Sequence, residues 1–254
     1  MLEVNHLAFG YGRDTILRDI SFQAYPGQIT AVIGPNGVGK STILKCIAGL
    51  EKGTGDICFC GKNRKEMNAE EISSTVSYLN QNSACEAQLN VYEVILLGLL
   101  NDLKIKVQEE DMRRVEEVID LLSLHPYAHR KISELSGGQQ QLVFIAQTLI
   151  KNPSILMMDE PTSALDLNKQ FQLMELLQKI TKENNLTTLV TLHHLDITAK
   201  YADRVIVVHD GSVYRNDDAE AVFTPEMLRE VYCVNAEVYT DTMGGKHIIA
   251  IDRV

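Results

Sequence analysis

The stretch Gly34-Pro35-Asn36-Gly37-Val38-Gly39-Lys40-Ser41-Thr42 follows the pattern G-x-x-x-x-G-K-S. Glycines in such a loop let consecutive backbone N–H groups close on a phosphate without a Cβ in the way. Lys40 supplies a positive charge for the β- and γ-phosphates of a nucleotide, and the Ser41 hydroxyl is a hard oxygen ligand for Mg²⁺. Two carboxylates, Asp159 and Glu160, follow the apolar run Ile155-Leu156-Met157-Met158. Parallel sheets gather ligands at that end of a strand. In-line attack on a phosphoryl group needs one acid to hold the metal through water and one to orient and activate the attacking water. Asp159 suits the first task and Glu160 the second. A third stretch, Leu135-Ser136-Gly137-Gly138-Gln139, precedes a helical pattern with Ser136 as N-cap, giving the chain a second helix end able to face an anion.

The elements around these residues set their positions. Ile29 to Ile33 is β-branched and apolar, a short buried strand leading into the phosphate loop. Ser41 to Leu50 reads as a helix with Ile43, Leu44, Ile47 and Ala48 on one face. Leu2 to Ala8 and Ile20 to Ala24 read as strands separated by a turn around Gly10-Tyr11-Gly12, and Asp56 to Cys60 and Thr75 to Leu79 as two more, so the first third is strand-rich around one helix. Gln108 to Leu124 and Gln139 to Ile150 have helical spacing and suggest a helical insertion, from Cys85 to Ile150. Ser154 to Met158, Leu186 to Leu192 and Val205 to His209 are apolar strands alternating with helices at Lys169 to Lys182 and Ile197 to Tyr201. That alternation predicts a parallel sheet with helices on its faces. Thr224-Pro225-Glu226 opens a helix to about Tyr232, and Glu237 to Thr240 pairs with His247 to Ile251 as a hairpin across Gly244-Gly245.

Whole-chain properties narrow the classes. With 254 residues there is ample length for a core, and 45% apolar and 23% charged residues describe an ordinary globular protein. The net charge of −10 argues against a protein that grips nucleic acid by bulk electrostatics. Cys46, Cys58, Cys60, Cys85 and Cys233 form an odd, scattered set, expected to be reduced thiols of a cytosolic protein. Cys58 and Cys60 are too close for zinc spacing and read as packing. Met1-Leu2-Glu3-Val4 lacks a basic start and an apolar stretch, so no signal peptide is expected. The apolar run Val91 to Leu100 contains Glu93 and is about half the length of a membrane span.

Taken in order, the Gly34–Thr42 loop, Gln81, Leu135–Gln139, Asp159–Glu160, Ser163-Ala164-Leu165-Asp166 and His193 resemble the full motif set of an ABC transporter ATPase subunit, over essentially the whole chain. The resemblance implies an α/β fold. It has a P-loop NTPase core with a mixed or parallel sheet, an N-terminal antiparallel β-subdomain and an inserted α-helical subdomain. The implied division is 1–84 and 151–222 for the nucleotide-binding core, 85–150 for the helical subdomain and 223–254 for a C-terminal helix and hairpin. It also implies a head-to-tail homodimer with two ATP molecules between the subunits. Ser136, Gly137, Gly138 and Gln139 of one copy would face the γ-phosphate held by Gly34, Pro35, Asn36, Gly37, Val38, Gly39, Lys40, Ser41 and Thr42 of the other. By the same resemblance, Gln81 would reach the Mg²⁺ and attacking water, and His193 the γ-phosphate and that water. Asp166 would bridge the dimer, and Tyr11 would stack on adenine, with Phe9 the alternative.

Two further stretches, Gln141 to Ala146 with Pro161 to Leu167 downstream, and Leu228-Arg229-Glu230-Val231-Tyr232, are similar to ATPases of iron–siderophore, haem and cobalamin importers. Some positions depart from the pattern. Val38 replaces a small residue but keeps its N–H, Gln140 and Gln147 stand where arginine is common, and His194 stands where an acid usually follows the histidine. His193 is preferred over His194 because Leu195-Asp196 then falls in register. Leu99-Leu100-Asn101-Asp102 departs where a basic, proline-containing stretch is expected against the membrane partner. The expected protein is an ATP- and Mg²⁺-dependent ATPase at the cytoplasmic face of the cell membrane. It would energise import of an iron chelate or related metal complex through a polytopic permease, served indirectly by an extracytoplasmic substrate-binding protein, with no nucleic acid partner. A soluble P-loop kinase is the alternative from another class, and it leaves Leu135–Gln139 without a task. A non-transport ABC module acting on DNA or ribosomes is disfavoured by the acidic charge.

Overall fold

The computed structural model describes residues 1–12, 14–80, 88–100, 107–163, 165–242 and 245–254. Gln81, Cys85, Ala164 and Gly244, and the proposed boundary at 84–85, lie outside the described residues. The strands run β1 (Leu2–Tyr11), β2 (Asp14–Ala24), β3 (Gln28–Ile33), β4 (Thr54–Phe59), β5 (Lys62–Asn63) and β6 (Val76–Leu79), then β7 (Ile155–Met158), β8 (Thr187–Thr191), β9 (Arg204–His209), β10 (Ser212–Asp218), β11 (Val234–Thr240) and β12 (Lys246–Arg253). The helices are α1 (Lys40–Ala48), α2 (Ala69–Thr75), α3 (Val91–Leu96), α4 (Glu109–Leu121), α5 (Gly137–Leu149), α6 (Leu167–Glu183), α7 (Leu195–Tyr201), α8 (Ala219–Val222) and α9 (Pro225–Tyr232).

Strand composition explains the sheet. In β3, Ile29, Ala31 and Ile33 join one apolar cluster and Val32 the other, and β7, β8 and β9 alternate in the same way. A strand buried on both faces needs helices on both, which is the environment of a parallel sheet. β3 pairs in parallel with β8 and β9, β8 with β7, and β7 with β6. One face is covered by α1 through Ile43, Leu44 and Ile47. Each such buried side chain contributes about 1.5–3 kcal/mol. The other face is covered by α6 through Leu173, Met174, Leu177 and Ile180, with α3 and α5 beyond it.

The antiparallel part is continuous with this core. Among the described residues ten strands form one sheet, in the order β5-β4-β1-β2-β10-β9-β3-β8-β7-β6. The expected turn at Gly10-Tyr11-Gly12 is narrower than that stretch, since Gly10 and Tyr11 belong to β1 and pair with Thr15 and Asp14. The joining strand, β10, was not anticipated. It is antiparallel to β9 and meets β2 in parallel at Ser212 and Asp19, where Arg18 N donates to Gly211 O at 2.7 Å. Its residues are polar and mostly half-buried, so periodicity misses it. The turn before it carries a local signal, because Asp210 and Gly211 both take positive φ, 47° and 72°, as a tight hairpin between twisted strands requires.

The first third also holds α2, capped by Asn68 and Glu71 in a reciprocal box, so it is not strand around a single helix. α3 is capped likewise by Asn90 and Glu93; its apolar residues Val91, Val94 and Ile95 are buried. The acid inside that apolar run is thus a capping residue. α5 begins at Gly137, two residues earlier than its apolar spacing indicates, so both glycines lie in its first turn. The terminal hairpin of β11 and β12 forms as expected and packs on α7, where Ile248 N donates to Asp196 Oδ1 at 3.2 Å. Among the described residues, no helix is long and apolar enough to cross a membrane.

Candidate nucleotide site

The parallel strands all end on one side, and β3, β7 and β8 carry the chemically active residues there. The phosphate loop follows β3, and Gly34 takes φ 149°. A Cβ at Gly34 would stand 2.3 Å from the Val208 carbonyl oxygen, so a larger residue would push the loop off β9. α1 then begins at Lys40, with Ile43 N donating to Gly39 O at 2.9 Å. Lys40 is 5% exposed, and its ammonium donates to Gly34 O at 2.8 Å and Pro35 O at 3.0 Å. Burial pulls its pKa below the usual lysine range, opposed by the charges of Glu160 and Asp159.

Asp159 follows β7 and is 2% exposed. Its Oδ1 accepts from Ser41 Oγ at 2.9 Å and from Thr191 Oγ1 at 2.7 Å. Burial, and then the charge of Asp159, push the phenol of Tyr78 upward. Glu160 turns sharply away from the strand with φ 50°, in the left-handed region that non-glycine residues rarely adopt. Its Oε1 lies against His193 Nε2. His193 leaves the end of β8, while His194 is the N-cap position of α7.

Ile16, Asn36, Gly37, Gly39, Lys40, Ser41, Thr42, Glu160 and His193 line one cleft of about 380 Å³. Sequence motifs distant in the chain thus converge, and Ile16, from β2, joins them without any motif of its own. Ser41 Oγ and Asp159 supply adjacent hard oxygens, the donor chemistry that Mg²⁺ takes when water and phosphate complete its shell. Among the described residues no group of three His, Cys, Asp or Glu forms a separate metal cage.

Other expected residues lie elsewhere. Tyr11 is 52% exposed, its hydroxyl donates to Glu51 Oε1 at 2.7 Å, and its ring meets Phe9 edge-on at 4.8 Å. That leaves a flat aromatic face at the tip of the β1–β2 hairpin, outside the cleft lining. Ser136, Gly137, Gly138 and Gln139 do not line the cleft either. Ser136 and Gly137 are exposed at the start of α5, and Ser136 N donates to Gln139 Oε1 at 2.9 Å. Asp166 caps α6 by accepting from Lys169 N at 3.0 Å; that bond, with the Lys169 ammonium, holds its carboxyl below the usual range.

Two glutamines not singled out in the sequence for this work fix the exposed loops. Gln140 Nε2 donates to Ile132 O at 3.0 Å and Leu135 O at 3.2 Å, bracing the chain that leads to Ser136. Gln170 Nε2, in α6, donates to Thr162 O at 3.2 Å and Leu165 O at 2.9 Å, bracing the loop before Asp166. Gly138 lies between the two loops, since a Cβ there would come within 3.1 Å of Leu165 and 2.9 Å of Lys169.

The comparisons agree with this arrangement. The family described as ABC transporter matches residues 17–163. The iron(3+)-hydroxamate import ATP-binding protein of Bacillus subtilis is 33% identical over 97% of this chain and 93% of its own length. The hemin import ATP-binding protein of Plesiomonas shigelloides is 30% identical over 96% of this chain and 98% of its own. The post-hydrolysis dimer of the cassette MJ0796, bound to ADP and phosphate, superposes with a TM-score of 0.75 at 28% identity, covering 86% of this chain and 99% of that one. A phosphate loop and paired acids at the ends of parallel strands, in a chain aligned over most of its length with these proteins, place it in the ABC transporter family, as one of its ATP-hydrolysing subunits.

Proposed function

We propose that this ATPase energises import of an iron chelate, of the siderophore or haem class, through a polytopic permease that holds it at the cytoplasmic face of the cell membrane. An extracytoplasmic substrate-binding protein would deliver the cargo. Support for the cargo class comes from the near full-length similarity to the hydroxamate and hemin import subunits. The observation that carries the chemistry is the convergence of Lys40, Ser41, Asp159, Glu160 and His193 on one cleft.

In this reading the backbone N–H groups of Gly34 to Thr42 cradle the triphosphate of ATP, and Lys40 swings from its two carbonyls to the β- and γ-oxygens. Ser41 and Asp159, with Gln81, would hold Mg²⁺, which when bound would supply positive charge to offset that of the triphosphate. Glu160 orients a water in line with the γ-phosphorus and accepts its proton. The water oxygen bonds to phosphorus, the bond to the bridging oxygen breaks, and its electron pair departs on ADP. His193, held by Glu160, contacts the γ-phosphate and the water. Tyr11 stacks on adenine.

Two copies pack head to tail, so that Ser136, Gly137, Gly138 and Gln139 of one complete the phosphate cage of the other, with Asp166 bridging the seam. Residues 1–84 with 151–222 act as the nucleotide-binding body. Residues 85–150 transmit closure to the permease, and 223–254 form a C-terminal extension. The test is capture of this chain with its native membranes, followed by reconstitution with any polytopic membrane protein that co-purifies. ATP-driven uptake of a ferric hydroxamate or haem is expected, abolished by Lys40→Ala. Absence of any membrane partner, or uptake confined to an unrelated solute, overturns the cargo assignment.

A further inference from the structure

Thr191 ends β8, is fully buried, and carries one hydroxyl between the two acids. Glu160 N donates to Thr191 Oγ1 at 2.8 Å, and Thr191 Oγ1 donates to Asp159 Oδ1 at 2.7 Å. The directions are fixed, because a backbone N–H gives only a proton and a carboxylate only takes one. We infer that Thr191 is a positioning residue for hydrolysis, whose hydroxyl locks the left-handed turn at Glu160 and thereby aims that carboxylate at the attacking water.

The reasoning starts from the strand register. β7 and β8 are parallel, with Met158 opposite Val190, so the next residues, Asp159 and Thr191, emerge side by side. Asp159 N still makes a strand-like bond to Leu79 O at 2.9 Å. The following N–H, that of Glu160, leaves the ladder at the residue with φ 50° and goes to Thr191. A side-chain hydroxyl thus takes over where the sheet stops, at the residue whose backbone is strained. Its proton is committed to Asp159 on the same oxygen that receives the Ser41 hydroxyl, so one contact sets the orientation of both acids. Valine matches threonine in shape but lacks the hydroxyl, so Thr191→Val fits the space yet leaves Glu160 N without its acceptor and Asp159 Oδ1 without one of its donors.

This inference rests on Glu160 being the group that activates water, and the experiment separates the two claims. Thr191→Val removes the hydroxyl and keeps the shape; Thr191→Ser keeps the hydroxyl and removes a methyl group. For Thr191→Val we expect kcat to fall about tenfold to a hundredfold, the range of lost orienting contacts. Affinity for ATP measured calorimetrically in EDTA should stay within twofold of the parent. Incubated with MgATP, the variant should accumulate a dimer on gel filtration, since nucleotide is held but slowly consumed. Thr191→Ser should keep kcat within a few-fold of the parent, although the lost methyl group lowers its melting temperature somewhat. A kcat loss confined to Thr191→Val, at a temperature where both variants stay folded and hold ATP as the parent does, is not what a purely structural role produces. Parental kcat in Thr191→Val, or equal loss in both variants, overturns the proposal. Glu160→Gln runs alongside: if it also hydrolyses ATP at the parental rate, the assignment of Glu160 itself falls.

Discussion

Ser41 Oγ donates to Asp159 Oδ1 at 2.9 Å, tying the first turn of α1 to the end of β7 across 118 residues of sequence. The phosphate loop and the acid therefore share one hydrogen-bonded unit. Removing the hydroxyl takes a hard oxygen from the proposed metal site and a donor from the carboxylate. Ser41→Ala should bind ATP in EDTA within twofold of the parent, while the gain in affinity on adding magnesium drops by about 10–100-fold. Titration calorimetry with and without magnesium measures this. An unchanged magnesium effect removes Ser41 from the metal site.

Glu160 has a different signature, because in the proposed mechanism it acts on the water and not on the nucleotide. Glu160→Gln keeps the shape and the His193 contact geometry but loses the proton acceptor. Turnover should fall by about 10²–10⁴-fold, the usual contribution of a positioned base, with MgATP affinity retained. A stable dimer should appear on gel filtration with MgATP. Parental phosphate release in a coupled assay contradicts the role.

Gln170 makes a stability prediction with a functional edge. It is 6% exposed, and its amide holds the Thr162 and Leu165 carbonyls. Gln170→Leu strands two carbonyls and should cost about 1–3 kcal/mol, seen in thermal unfolding as a shift of about 2–4 °C per kcal/mol. The loop before Asp166 should loosen with it, weakening the proposed ATP-dependent dimer. A variant that melts and dimerises like the parent would show that the loop is held by other means.

Cys46 tests the seating of α1. It is 1% exposed, and burial pushes its thiol up to about 11. Peptide-resolved alkylation at pH 8 should label the exposed Cys60 and Cys233 long before Cys46. The pH effect has a definite sign. The unfolded thiol ionises near its ordinary value of about 8.5, so the neutral buried thiol favours folding below that point. This contribution falls away as pH rises from there through the folded value of about 11. Cys46→Ala should flatten that part of the stability profile, and rapid labelling of Cys46 in the native protein would mean that α1 does not stay seated.

The residues legible in the sequence were those whose chemistry is local. The phosphate loop is a contiguous pattern, the Asp159–Glu160 pair sits at the end of an apolar strand, and Ser136 and Thr224 announce helix starts. What escaped depends on contacts between distant segments. Thr191 lies in a run of β-branched residues, and only the register of β7 against β8 brings its hydroxyl to the acids. Gln140 and Gln170 are ordinary helical residues until their amides are seen folding back on preceding carbonyls. Ile16 enters the cleft because β2 passes under the loop, which no spacing in the sequence encodes. β10 is hidden by its polarity, although the Asp210-Gly211 turn marks its start.

The amides of Gln140 and Gln170 have a consequence for the solution behaviour of the face they shape. Both braces are neutral amides. A loop held by uncharged donors keeps its form as ionic strength rises, because screening weakens only interactions between charges. Raising potassium chloride from dilute to several hundred millimolar should therefore leave the shape of these two loops intact, and any salt sensitivity of ATP-driven pairing must come from the nucleotide and the charged rim around it.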